Sequence, residues 1–116
     1  MIATFALPMP PSVNALFANV PGRGRIKTRA YRSWIKEAGW ALRMARVGAV
    51  TSRVRVLIEA GTNNRRDADN LAKPILDLLK AHGVLKDDSA KYVAGVSADW
   101  NDDVTGCRVT LTEAAA

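Results

Sequence analysis

The chain has one cysteine, one histidine and no run of apolar residues long enough to cross a bilayer. A lone Cys107 excludes an internal disulfide, and without a cluster of cysteine or histidine there is no ligand set for zinc. Cys107 lies in the alternating stretch GCRVTLTE, which reads as a strand, so it is expected to be a small core or edge residue and not a nucleophile; His82 stands far from it in sequence. Internal repeats and low-complexity tracts are missing as well, apart from a short alanine tail at 114 to 116. The opening MIATFALPMPPS has no basic residues ahead of its apolar run, so no secretory signal is expected, no membrane partner either, and the cytoplasm is the expected setting.

Acid is scarce in one half. The first 58 residues contain a single acidic residue, Glu37, whereas five of the 11 acids fall between positions 67 and 88. The whole chain carries a net charge of +6, which favours an anionic partner, and nucleic acid is the commonest one for a small basic domain. What is present otherwise is ordinary: 116 residues, 48% hydrophobic and 24% charged, the size and composition of one folded domain spanning residues 1–116.

Periodicity gives the elements. IATFALP reads as a first strand, stopped by Pro8, Pro10 and Pro11, which remove ladder donors. VPGRGRIKTRA follows as a polar loop that cannot build a core, with Arg23, Arg25, Lys27 and Arg29 in it and Arg32 just beyond. Helical spacing runs from about Tyr31 to Val47, with Trp34, Ala38, Ala41, Leu42 and Ala45 on one face and Lys36, Arg43 and Arg46 largely off it. RVRVLIEAG alternates as a half-buried strand. Leu71, Ile75, Leu78 and Leu79 form a second helix stripe, Pro74 sits where a missing N–H costs little, and His82-Gly83 supplies a helix-end cation and a C′ glycine. KYVAGVSADW and GCRVTLTE, joined by turn-rich NDDVT, are expected to form a hairpin. The predicted fold is α+β (mixed α/β), a small mixed sheet with two helices packed on it, in the order β-α-β-α-β-β, with the strand-helix-strand unit returning parallel.

The acid-rich stretch RRDADNLAKPILDLLKAHGVLKDD, residues 65–88, carries the chemistry. Helical spacing puts Asn70, Lys73, Asp77 and Lys80 opposite the apolar stripe. Asp67 and Asp69 come just before that face, and Asp87 and Asp88 follow the helix where the chain can return to the same edge. Converging carboxylates need a cation, and oxygen-only ligands suit Mg²⁺ or Mn²⁺. With a basic remainder this points to phosphodiester hydrolysis, Lys73 adding a fixed positive charge at the scissile phosphate. The same residues also suit structural roles: Asp69 or Asn70 as helix cap, Asp77 as an i,i+4 partner of Lys73, Asp87 and Asp88 as a solvated turn.

Two segments resemble one family. RRDADNLAKPILDLLKAHGVLKDD is similar to the signature of the RusA family of Holliday junction resolvases, common in prophages; LPMPPSVNALF resembles that family's opening segment and AYRSW its helix start. The resemblance covers nearly the whole chain and implies a RusA-like fold. It implies that Asp67, Asp69 and Asp88 bind the metal, that Lys73 is catalytic, and that Asn14, Asn70 and Asp77 occupy frequent family positions. It further implies a homodimer that uses Mg²⁺, with Mn²⁺ able to substitute, to cut four-way DNA junctions by paired symmetric nicks in DNA recombination and repair, in a bacterial or phage-infected cell. Met9 and Ala68 depart from the family pattern without removing a ligand. Asn14, Arg23, Arg25, Lys27, Arg29, Arg32, Arg65, Arg66 and Asn70 are the expected DNA-binding residues, with Lys36, Arg43 and Arg46 as further phosphate contacts. The rivals are a non-catalytic basic protein that binds branched DNA, and a protein-interaction domain whose charge is incidental.

Overall fold

The alternation in Val54-Arg55-Val56-Leu57-Ile58-Glu59-Ala60 decides the centre of the molecule. Val54, Val56, Ile58 and Ala60 point one way and are buried, while Arg55, Leu57 and Glu59 point the other. The computed structural model describes residues 1–62 and 71–114. In chain order the elements are β1 (Ala3–Leu7), a 3-10 turn (Val13–Ala15), β2 (Phe17–Val20), β3 (Gly24–Lys27), α1 (Arg29–Met44), β4 (Val54–Ala60), α2 (Ala72–Ala81), β5 (Val93–Trp100) and β6 (Cys107–Glu113). Four strands form a mixed sheet in the order β1-β6-β4-β5, and β2 and β3 form a separate two-stranded sheet. The α+β class with two helices and a mixed sheet is thus as the patterning implied.

Two elements differ from the expectation. The stretch after the prolines is not a loop: Phe17–Val20 and Gly24–Lys27 pair antiparallel, with Phe17 opposite Lys27 and Asn19 opposite Arg25. The expected hairpin between the last two strands does not form. Both β5 and β6 pair with β4 instead, β5 parallel and β6 antiparallel. The connection between them wraps the end of β4, where the Asn101 N–H donates to the Ala60 carbonyl (2.9 Å) and the Gly61 N–H to the Gly106 carbonyl (2.9 Å). The reason is burial: β4 buries four of its seven residues, more than any other described strand, and a central position pairs both of its edges. Gly106 (φ +69°) turns the chain into β6, and a Cβ there would stand 2.8 Å from the Leu7 carbonyl oxygen.

The core lies between one sheet face and the helices. Phe5, Leu7, Val109, Leu111 and the β4 side chains meet Trp34, Ala38 and Leu42 of α1 and Ile75, Leu78 and Leu79 of α2. Each fully buried side chain of this kind contributes roughly 1.5–3 kcal/mol. Cys107 is buried here, 3.7 Å from the Met9 sulfur. α1 starts at Thr28, whose side chain accepts from the Tyr31 N–H. It ends at Met44, earlier than the spacing suggested, because Arg46 takes a left-handed conformation (φ 55°), and Ala45 is exposed. On the open sheet face Glu59 accepts from Asn101 (2.7 Å) and from Arg108 (3.0 Å). Neither described helix is long and apolar enough to cross a membrane.

Candidate active site

α2 turns its apolar stripe, Pro74, Ile75, Leu78 and Leu79, into the core. The opposite face then carries Lys73, Asp77 and Lys80, as spacing required. After Ala81 the chain reverses at Gly83 (φ +74°), and the Val84 N–H donates back to the Leu79 carbonyl (2.9 Å). Val84 and Leu85 are buried, so the segment is pulled in against the helix and Asp88 arrives beside α2. Lys80 then bridges two carboxylates: its Nζ lies 3.3 Å from Asp88 Oδ2 and 3.5 Å from Asp77 Oδ1. Lys73 Nζ holds the other Asp77 oxygen at 3.3 Å.

These pairs are partly exposed, and such pairs contribute about 0–1 kcal/mol each, so stability does not explain the arrangement. The hydrogen bond to Asp88, reinforced by the charges of Asp88 and Asp77, holds the Lys80 ammonium above its ordinary pKa. Lys80 is therefore a permanent cation between two anions. The two consecutive aspartates have separate jobs. Asp87 is held below its ordinary value by the Asp88 backbone N–H and the Ser89 hydroxyl, the bonding of a turn. Asp88 is the one that faces Lys80.

Of the remaining sequence-predicted residues, Arg65, Arg66, Asp67, Asp69 and Asn70 lie outside the described residues. Among the described residues no three His, Cys, Asp or Glu side chains gather closely enough to hold a metal ion. Lys73 is well exposed, with its side chain at 60% accessibility. His82 terminates α2 and lies against α1, with Nε2 at 3.0 Å from where a Cβ on Gly39 would be.

The β2–β3 hairpin supplies the basic side. Arg23 is at its tip, and Arg25 and Lys27 alternate along β3, all exposed. The hairpin is pinned at its base, where the Thr28 hydroxyl donates to the Ala15 carbonyl (2.6 Å) and the Thr28 N–H to the Leu16 carbonyl (3.0 Å). An aromatic series fixes it to α1: Phe17 meets Tyr31 edge-on with centroids 5.7 Å apart, and Tyr31 stacks on Trp34 at 6.3 Å. The Arg25 guanidinium lies over the Phe17 ring, 4.7 Å from its centroid. Arg29 and Arg32 are exposed at the start of α1, where the first turn has no acidic residue, and Arg32 donates to the Lys27 carbonyl (2.7 Å). Asn14 is exposed in the 3-10 turn that precedes the hairpin.

The hairpin and α2 face one another across a cavity lined by Lys27 and Phe17 on one side and by Asp77 and Lys80 on the other. Tyr31 lies between them; burial first, and then the Asp77 charge, raise its hydroxyl above the ordinary pKa, so it stays protonated. Sequence reasoning missed the hairpin scaffold, Tyr31 and the bridging role of Lys80; the paired spacing of Arg25 and Lys27 around Ile26 was the available signal.

A search among curated proteins returns no significant match. The family model described as Endodeoxyribonuclease RusA matches residues 8–112 of the 116, taking in the proline segment, the hairpin, both helices and nearly all of β6. The chain belongs to the RusA endodeoxyribonuclease family.

Proposed function

We propose that this chain is a Mg²⁺-dependent, structure-selective endodeoxyribonuclease that resolves four-way junctions by paired symmetric nicks as a homodimer. The observation that carries the reading is the meeting of the cationic hairpin with Asp77 and Lys80 across one shared cavity, Lys80 also holding Asp88 beside it. Family membership supports endonucleolysis of junction DNA. The charge segregation supports a polyanionic substrate.

Asp67, Asp69 and Asp88 would hold the metal. The described member of that set fits a hard cation: Asp88 offers only oxygens, is accessible, and already attracts a positive group in Lys80. When bound, the metal activates water and offsets the charge that builds on phosphorus. The protein's own residues do the rest. Lys80 keeps Asp77 and Asp88 oriented side by side. Lys73, exposed one turn earlier on the same face, reaches the scissile phosphate with a fixed positive charge when it leaves Asp77. Arg23, Arg25, Lys27, Arg29 and Arg32 bind flanking phosphates, which gives affinity without sequence reading. A four-way junction has two equivalent scissile strands, and a closed two-fold dimer places one site on each. The expected setting is DNA recombination and repair in a bacterial or phage-infected cell.

The test compares a synthetic four-way junction with linear duplex of the same sequence, in Mg²⁺ and in EDTA, for the wild type and Asp69→Asn. Symmetric, metal-dependent nicking of the junction alone, lost in the variant while binding persists, is the expected result. Junction binding without scission in any divalent metal, or full activity in Asp69→Asn, would overturn the reading.

A further inference from the structure

The cavity between the hairpin and α2 has a volume of about 330 Å³. That is the lower end of the roughly 300–1,000 Å³ of small-molecule pockets, with room for one heteroaromatic base. Its walls suit a flat ring. Phe17, Tyr31 and Leu78 line it with aromatic and aliphatic surface, while Lys27 and Lys80 bring one cation from each side. The Tyr31 hydroxyl, kept protonated, and the Asp77 carboxylate offer polar partners for a base edge. No part of the proposed chemistry uses the apolar lining.

Position connects this cavity to the cut. Lys80 lines it and also touches Asp88, so a phosphate held at its α2 side is next to the carboxylates, and the following phosphates run toward Lys27 and the hairpin. A strand on that path carries its base over the opening. Unstacking a base costs a few kcal/mol in a duplex and least where pairing is already interrupted, as at a branch point. Contact with aromatic side chains returns roughly 1–3 kcal/mol per base.

We propose that the Phe17–Tyr31–Leu78 cavity receives one unstacked nucleobase of the cleaved strand, immediately beside the scissile phosphate. The proposal rests on the junction-nuclease reading above. Its consequence is that the hairpin does more than attract phosphate: with α2 it fixes which nucleotide stands at the acidic cluster.

The experiment measures binding, in the Asp69→Asn background, to four-way junctions that carry a single abasic nucleotide at each position around the mapped nick. One position is expected to weaken binding about fivefold or more, with its neighbours nearly neutral. Ala81→Leu, at the exposed rim of the cavity and compatible with the helix, fills the space and is expected to abolish that dependence while junction binding persists. The abasic series with the unaltered cavity tests the proposal on its own: equal binding at every position would overturn it. So would an unchanged dependence in Ala81→Leu. No junction binding by either protein would overturn the junction reading itself, and the base pocket with it.

Discussion

Replacing Arg23, Arg25 and Lys27 together by glutamine removes three charges from the β2–β3 hairpin while keeping long polar side chains and the Phe17–Lys27 and Asn19–Arg25 pairing. All three residues are exposed, so no core contact is lost; the Arg25–Phe17 contact at 4.7 Å contributes about 0.5–1 kcal/mol, too little to unfold the domain. The effect to read is salt dependence. Each neutralised phosphate contributes about 0.9 to the slope of log K against log salt, so three contacts remove roughly 2.7 from its magnitude. Between about 50 mM and 200 mM salt the advantage of the wild type over the variant then shrinks roughly 40-fold. If both hairpins of a homodimer engage one junction, the loss of slope doubles to roughly 5.4, so the same titration counts hairpins. The assay is fluorescence anisotropy with a labelled four-way junction across a salt series, with circular dichroism confirming the fold. A slope unchanged from wild type would refute the placement of DNA along the hairpin, whatever happens to absolute affinity.

The legible parts of this fold were those fixed by local periodicity and burial together. Val54, Val56 and Ile58 announced β4, the stripe at 71, 75, 78 and 79 announced α2, and Gly83 its reversal, because a single residue spacing decides which side chains leave water. The hairpin was not legible for the opposite reason. FANV has half-buried residues only at its two ends, Phe17 and Val20, GRIK has only Ile26, and neither has a continuous apolar face; they are held by Phe17 against Tyr31 and by Thr28 against Ala15, contacts made across the chain. The β5–β6 connection misled because NDDVT has the residues of a tight turn, yet Asn101 and Gly106 bond to the end of β4 and hold β5 and β6 apart. In the site, the outward face of α2 followed from spacing. The link from Lys80 to Asp88 did not, since it depends on Val84 and Leu85 being buried after the turn. Sequence could place Asp77 and Asp88 near one edge but had no means of naming the lysine between them.

Two further perturbations test the scaffold. Thr28→Ala removes both the cap accepted from the Tyr31 N–H (3.2 Å) and the bond to the Ala15 carbonyl (2.6 Å), which together tie α1 to the hairpin. The expected loss is about 1–2 kcal/mol, a fall of several degrees in Tm by thermal denaturation, with junction affinity reduced as the hairpin loosens; an unchanged Tm would show that the hairpin does not depend on this junction of elements. Glu59→Gln tests the open face of the sheet, where hydrogen bonds from Asn101 and then Arg108 hold the Glu59 carboxyl below its ordinary value of 4.5. Because the folded state favours the ionised form, the stabilisation is present above that value and is lost as pH falls through the lower folded pKa. The Tm of the wild type should therefore exceed that of Glu59→Gln from neutral pH down to about 5, and the gap should close as the solution is made more acid than about pH 4. A gap that persisted or widened in acid would mean that the bonds from Asn101 and Arg108 act equally on the neutral side chain, and that charge plays no part in joining β4 to β6.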